Sequence, residues 1–329
     1  MKKNNTFYYW ASDIRFNSGE GILANLFIAD IKKNFKQSSL VNINNKNENY
    51  NKLYNKYILN LIGAIKLWKY YFQGNKTIYV NYLPIWNFII FLILPPKTII
   101  GPITGSLIFN KYSLLDTFLR GLLLNLFKKI SLLIIFFRQK KILFSTNLLQ
   151  ECIKKNQLNR VYFNYIVKHF KGFAKKKFKK DIDFLIYHRL HNNKNNSMIK
   201  YFINNTINKK YKIFVFGDPI KSKNIKNLGY ISKNKVNLLL SRAKFTFGSS
   251  ENLYTLFLLD SISRDVVIFY DKSLKKFNNA IQYKKMIPID YNNKEKSLRF
   301  VVDNLKNLKK NNKNYFKKNN DSGYFKQYL

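Results

Sequence analysis

The chain has 329 residues, room for two domains of ordinary size with a core each. Apolar content of 46% and aromatic content of 17% exclude a disordered chain. The formal net charge is +42, from 59 basic against 17 acidic residues, and only eight of the basic residues are arginine. A field of that sign attracts nucleotide sugars, anionic lipid and nucleic acid alike. Lys, Asn, Ile, Phe and Tyr are also what AT-rich codons favour, so charge alone does not choose among these partners. The single Cys152 excludes an internal disulfide and a multi-cysteine metal site and fits a reducing compartment. Its expected role is a small buried apolar side chain.

Met1–Asn5 leads into a strand-like Phe7–Trp10, without the apolar run of a secretory leader. Asn17-Ser18-Gly19-Glu20-Gly21 is a glycine-bracketed turn, and Ile22–Phe35 has amphipathic helical spacing. The Asn-rich Asn42–Asn55 reads as a loop before a helix-like Ile58–Phe72. Leu83–Leu94 is apolar but too short to span a bilayer, and Pro95-Pro96 ends it, so it is expected as a core helix or strand. A strand-like Thr98–Ile100 leads to the loop Gly101–Ser106. Leu114–Phe137 is strongly apolar but broken by Arg120, Asn125, Lys128 and Lys129, and is followed by Arg138, Lys140 and Lys141. It reads either as an interfacial helix drawn to anionic lipid or as two buried helices with the lysine pair on a turn.

Lys175–Lys177 with Lys179 and Lys180 reads as a solvated linker. Asp183–Tyr187 is a strand, followed by His188-Arg189 and then Asn192-Asn193-Lys194. From Tyr211 to Tyr270, short aromatic and β-branched runs alternate with helical stretches, as in parallel βαβ units. Strands are expected at 183–187, 212–216, 243–247 and 265–270. After Ala243–Phe247 the turn Gly248-Ser249-Ser250-Glu251-Asn252 delivers a carboxylate to the mouth of a helix. That is the carboxyl edge of a parallel sheet, where open α/β folds bind ligands and helix N-termini attract phosphate. A last helix is expected at 294–310, then a Lys/Asn tail at Lys309–Asn320, with Phe325 and Tyr328 free to dock on the first domain. No zinc motif, P-loop, nucleophile elbow or kinase signature is present.

The run from Tyr211, with its Ser-Ser-Glu turn and an acid one helix length later, resembles the nucleotide-binding half of retaining GT-B glycosyltransferases of the large family-4 group. The two acids would be Glu251 and Asp260. The family pattern has seven residues between two glutamates, whereas here the second is Asp with one residue more between them. Arg189 and Lys194 match the family's Arg and Lys in the first loop of the second domain. Gly19 and Gly105 match glycine-containing loops of its first domain, whose histidine has no counterpart here. The resemblance covers about the first 30 residues, 98–106 and most of 180–272.

The resemblance implies an α/β, GT-B protein: two Rossmann-like βαβ domains facing each other across a cleft. Residues 1–168 would be the acceptor-side domain, 180–300 the nucleotide-sugar domain and 301–329 a tail packing back on the first. It implies glycosyl transfer from a nucleotide-sugar donor to a saccharide or lipid-linked acceptor, retaining, with no cofactor and no metal, for polysaccharide or lipopolysaccharide synthesis. Glu251 would bond the donor sugar's hydroxyls and is the catalytic candidate. Arg189 and Lys194 would hold the diphosphate, the amides of Asn252 and Leu253 would cap it, and Asp260 would meet the ribose; Gly19 and Gly105 would face the donor. The expected location is cytoplasmic, peripheral on the inner membrane face through an anionic lipid surface. Two alternatives stay open. One is a basic nucleic-acid-binding protein, which the absence of any nucleic-acid module disfavours. The other is a non-transferring GT-B protein such as a sugar-nucleotide epimerase.

Overall fold

The structure is a computed structural model that describes residues 6–16, 18–41, 58–81, 83–105, 114–170, 172, 178–190, 196–206, 211–248, 252–277, 281–307, 315–316 and 322–328. The chain divides into two compact units. Unit 1 comprises Met1–Ser106, Tyr112–Lys168 and Asn319–Leu329; unit 2 comprises Leu107–Lys111 and His169–Lys318. Asn17, the Asn42–Asn55 loop, Lys175–Lys177, His191, Lys194, Glu251 and the stretch 309–314 lie outside the described residues.

Unit 1 runs β1 (Phe7–Trp10), α1 (Gly19–Asn34), β2 (Ser38–Leu40), α2 (Leu59–Phe72), β3 (Lys76–Tyr79), α3 (Phe88–Ile93), β4 (Ile99–Ile100), α4 (Leu114–Arg138), β5 (Ile142–Leu143) and β6 (Val161–Tyr162). Its main sheet has the order β2-β1-β3-β4, all parallel. A parallel bridge between Ile103 and Phe144 carries the ladder on to the β5–β6 pair. α1 begins three residues before the amphipathic run because Ser18 caps it, accepting from the Gly21 amide at 2.9 Å. Glu20 in its first turn and Lys32 and Lys33 in its last complement the helix dipole. The core gathers Trp10, Leu67, Tyr79, Phe91, Ile100 and Phe144. Gly63 of α2 lies flat on Trp10, where a Cβ would come within 2.2 Å of the indole.

Within Leu83–Leu94 only Phe88–Ile93 is helical, as α3, with Ile90 and Phe91 inside and Ile89 and Leu92 outside. Leu114–Phe137 lies within one 25-residue helix, α4 (Leu114–Arg138), rather than two, with Lys128 and Lys129 inside it instead of on a turn. Among the described residues no helix is long and apolar enough to cross a membrane. Cys152 is exposed, contrary to the expected buried role, because the 3-10 turn Gln150–Cys152 lies at the surface.

Unit 2 runs β7 (Ile182–His188), α5 (Ser197–Asn205), β8 (Ile213–Gly217), β9 (Ile225–Asn227), α6 (Lys233–Arg242), β10 (Ala243–Phe247), α7 (Leu256–Ser263), β11 (Val267–Asp271), β12 (Ile281–Gln282), β13 (Met286–Ile289), α8 (Lys294–Asn307) and β14 (Tyr315–Phe316). Six of these strands form one all-parallel sheet, β13-β11-β10-β7-β8-β9. Ranked by their sequence along the chain, its strands read 3-2-1-4-5-6 from the β9 edge. That is the doubly wound Rossmann order, which reverses direction between β7 and β10. Both faces are covered, as the continuous apolar runs of these strands require. Phe184, Phe202, Phe247 and Phe269 pack on one side, and Leu185, Leu240 and Val266 on the other. Lys180 is not a solvated linker residue. Its amine donates to the carbonyls of Arg264 (2.8 Å) and Leu240 (3.3 Å), and burial pushes its pKa down to about 8.

The last helix, α9 (Ser322–Lys326), belongs to unit 1. Buried Tyr324 donates to the Ile100 carbonyl, Tyr328 donates to the Gln139 side chain, and the Gln327 amide brackets the Lys141 backbone. Phe325 packs on Phe27 with ring centres 5.5 Å apart.

Candidate functional site

Open α/β sheets bind ligands beyond the carboxyl ends of their strands, at the point where the strand order reverses. In unit 2 that point lies between β7 and β10. β7 ends in His188 and hands on to Arg189; β10 ends in Phe247 and hands on to Gly248. The loops carrying Arg189 and Asn252 therefore leave adjacent parallel strands at the same edge.

The segment after β7 is fixed by one residue, Asp218, which follows β8. Its carboxylate accepts from the Leu190 amide at 2.5 Å and from the Tyr230 hydroxyl at 2.7 Å. Its amide donates to the His188 carbonyl at 2.9 Å, and its own carbonyl accepts from His188 Nδ1 at 2.8 Å. Four hydrogen bonds thus grip residues 188–190 and Tyr230 from one point. Hydrogen bonds from the Leu190 amide and the Tyr230 hydroxyl, with the nearby Arg189 charge, hold the Asp218 carboxyl below the usual range. The same bond raises the Tyr230 phenol. Gly217, at φ +95°, makes the approach possible, because a Cβ there would lie 2.2 Å from the His188 carbonyl oxygen.

The grip leaves Arg189 exposed, its backbone carbonyl accepting from the Asn196 side chain at 2.9 Å, and among the described residues its guanidinium has no hydrogen-bond partner. A positioned cation at a sheet's switch point suits a phosphate group. Lys194 and Glu251, the other two central candidates, lie outside the described residues.

The remaining expected residues of unit 2 are placed differently from the sequence reading. The helix after β10 opens at Leu256 with Thr255 as its cap, four residues later than the Glu251–Asn252 start that the turn implied. The Asn252 side chain accepts from the Tyr254 amide at 2.9 Å, closing a local turn. Leu253 is 0% exposed, its side chain packed in the interior. Asp260 is neither open nor an exposed helix residue: its carboxylate lies 3.3 Å from Nε2 of buried His169, itself 3.1 Å from the Lys233 amine.

In unit 1 the strand order reverses between β1 and β3. Beyond them lies a buried polar knot that sequence reasoning missed. Asn81 accepts from the Ser12 amide (2.8 Å) and hydroxyl (3.0 Å) and donates to the Asp13 carbonyl (2.6 Å). Burial pushes the Asp13 carboxyl up, but bonds from Arg15 and Ser18 and the Arg15 charge outweigh it, and the net shift is down. Gly19 opens α1 with free space around it, whereas a Cβ on Gly21 would meet the Arg15 backbone at 2.2 Å. Gly105 is a packing glycine, its Cα pressed by the Leu149 side chain, where a Cβ would be 2.5 Å from a methyl. The visible signals for the two missed aspartates were Ser12-Asp13 just past β1 and Gly217-Asp218-Pro219 just past β8. Among the described residues no group of His, Cys, Asp and Glu is placed to hold a metal ion.

No protein-family model matches the chain, and no curated protein sequence does. Solved structures do resemble it. UDP-GlcNAc 2-epimerase from Methanocaldococcus jannaschii, solved with UDP-GlcNAc and UDP, is 14% identical over 95% of each chain, with a TM-score of 0.52. A glycosyltransferase from Rickettsia africae is 10% identical over 93% of this chain and 89% of its own, at 0.47. The heptosyltransferase WaaC from E. coli, solved with ADP, is 8% identical over 92% and 99%, at 0.37. At these identities the likeness to the epimerase is one of fold. The fold is α/β of the GT-B class, with two Rossmann-like units.

Proposed function

We propose that the protein transfers a sugar from a nucleotide-sugar donor to a saccharide or lipid-linked saccharide acceptor, with retention and without a metal, as the family-4 resemblance implies. The observation that carries this reading is Arg189, exposed beside the Asp218 grip at the switch point, its guanidinium without a hydrogen-bond partner among the described residues. Arg189 and Lys194 neutralise the diphosphate as it leaves, which a metal-free site needs fixed cations to do. Glu251 bonds the donor sugar, and a departing phosphate oxygen takes the acceptor's proton, so no side chain acts as a conventional base. Gly19 is the donor contact proposed on unit 1; Gly105, Leu253 and Asp260 are better explained by their packing and pairing.

The acceptor is lipid-borne, and unit 1 docks on the cytoplasmic face of the membrane. α2, α3 and α4 lie side by side and expose Ile65, Phe72, Leu92, Leu126, Leu133 and Phe137, the last 94% exposed. An apolar groove of about 600 Å³ runs between α3 and α4, with Leu92, Pro96, Leu133 and Phe137 in its walls and Lys97 and Arg138 among its lining residues. Apolar surface edged with cations suits an anionic bilayer.

The second reading, sugar-nucleotide epimerisation, is favoured by the likeness to the M. jannaschii epimerase along nearly the whole chain. Thermal-shift measurements with UDP-, GDP- and ADP-sugars test both. A shift with one nucleotide supports a nucleotide-sugar protein, and no shift with any of them removes both readings. Chromatography of that sugar nucleotide after incubation alone then separates them, because an epimerase converts it without an acceptor.

A further inference from the structure

His188 carries a hydrogen-bonding atom with no partner among the described residues. The residue is 1% exposed, at the carboxyl end of β7 where the sheet order reverses. Its Nδ1 lies 2.8 Å from the Asp218 carbonyl oxygen, and a carbonyl only accepts, so Nδ1 carries the proton. Its Nε2 is enclosed and, among the described residues, has no hydrogen-bond partner. A neutral imidazole protonated on Nδ1 offers a lone pair at Nε2, and a buried polar atom without a partner is costly. A doubly protonated ring would bury a charge and leave an N–H without an acceptor, which costs more. The two ring nitrogens point to opposite sides. With Nδ1 turned to the end of β8, Nε2 turns away from it, and β10 is the strand on that other side of β7.

We infer that Nε2 of His188 accepts a hydrogen bond from a hydroxyl of the bound ligand, and so selects a ribose or sugar hydroxyl, not a phosphate oxygen, for this end of the crevice. This rests on the nucleotide-sugar reading above and adds a division of labour to it. Exposed Arg189 takes the anionic part of the ligand, and His188, one residue earlier and on the inner side, takes a neutral donor group. A phosphate diester oxygen has no proton to give Nε2, whereas every ribose and hexose has several. The Asp218 carbonyl sets the polarity of the whole arrangement by fixing which nitrogen is the acceptor.

The test uses the full-length protein and calorimetric titration with UDP, GDP and ADP, then with the glucose conjugate of whichever binds. Replacing His188→Ala is expected to weaken binding about tenfold, the loss of one buried hydrogen bond, and His188→Gln to restore part of it. Loss with the bare nucleotide assigns the hydroxyl to ribose, and a 2′- or 3′-deoxy nucleotide then weakens wild type but not the alanine variant. Loss only with the conjugate assigns it to the sugar. On ¹⁵N-histidine-labelled wild type, only three histidines contribute, and the Nε2 signal of His188 shifts on ligand addition while remaining unprotonated. This readout needs no variant to fold. A His188 signal unmoved at saturation overturns the inference, as does an Nε2 that gains a proton in the complex or unchanged affinity in the alanine variant. If wild type binds none of the three nucleotides, the nucleotide-sugar reading itself falls and the inference with it, which is a different result from binding that ignores His188.

Discussion

The two units share one architecture, parallel strands wrapped by helices, yet they spend their polar and apolar residues differently. Unit 2 concentrates polar groups at one sheet edge: Asp218, His188, Tyr230 and the exposed Arg189 gather past the ends of β7, β8 and β9, beside the point where the strand order reverses. Its helices expose few large apolar side chains, Leu238 on α6 and Phe300 on α8. Unit 1 buries its polar knot of Ser12, Asp13, Ser18 and Asn81 and turns apolar residues outward along α2, α3 and α4. The same architecture thus carries the edge proposed to face a ligand in one unit and the helical layer proposed to face a membrane in the other. Fold alone assigns neither task; the choice of side chains at equivalent edges and faces does.

If chemistry belongs to unit 2, Glu251→Ala should lower turnover by roughly a hundredfold or more, as loss of a transition-state partner does, with the circular dichroism spectrum unchanged. Near wild-type turnover in the folded variant would remove Glu251 from the donor-sugar role. Arg189→Ala should weaken the product nucleoside diphosphate by about ten- to a hundredfold, the range for a charge-assisted hydrogen bond, and Lys194→Ala should act in the same direction. Calorimetry that finds both affinities intact would dissolve the phosphate clamp and leave the edge of unit 2 without a task.

The outward face of unit 1 predicts binding to anionic vesicles that weakens with salt. Leu133→Asp with Phe137→Asp should lower partitioning by several-fold while leaving the melting temperature within a degree or two, because both side chains are already exposed. Replacing Lys128, Lys129, Lys140 and Lys141 with Gln should cost about 1 kcal/mol of attraction for each lysine that sits near the lipid. A wild-type protein that ignores anionic vesicles at low salt would reduce this face to ordinary surface.

The smallest expected difference is in acid. In unit 2 the carboxyls of Asp181, Asp218 and Asp290 are held below the usual range, by hydrogen bonds chiefly from Arg242, the Leu190 amide and Lys272 respectively. A carboxyl lowered by folding stabilises above its unfolded pKa of about 4 and loses that contribution as pH falls through the folded value. In unit 1 the described carboxyl with the same shift is Asp13. Unit 2 should therefore loosen first below about pH 4. All three tryptophans, Trp10, Trp68 and Trp86, are in unit 1, so far-ultraviolet dichroism should change before tryptophan emission. Lys180 also makes stability rise with pH, but by relief of a cost, since its amine is lowered to about 8. The cost of burying its charge is present below that pH and is relieved as pH rises toward the unfolded value near 10.4. Coincident acid transitions for the two probes would show that the units unfold as one.

Much of this architecture was legible before any coordinates. Alternating aromatic and β-branched runs fixed β7, β8, β10 and β11 to within two residues, because a strand buried on both faces must be a continuous apolar run. The loop carrying Arg189 was legible for the same reason, as a short polar break after such a run. Other features were decided only by packing. The helix after β10 starts at Leu256 because Thr255 caps it, and a turn of small residues does not reveal which of several polar residues will be the cap. Asp260 gains its histidine, Lys180 its two carbonyls and Cys152 its exposure from residues distant in the chain or from the path of a turn. The strand order, and with it the switch point that puts His188 between β8 and β10, depends on pairings between residues as far apart as Phe184 and Phe245. Local periodicity determines which residues become strands and helices. Only the closing of long loops into one sheet determines which strand ends meet, and so which side chains share a site.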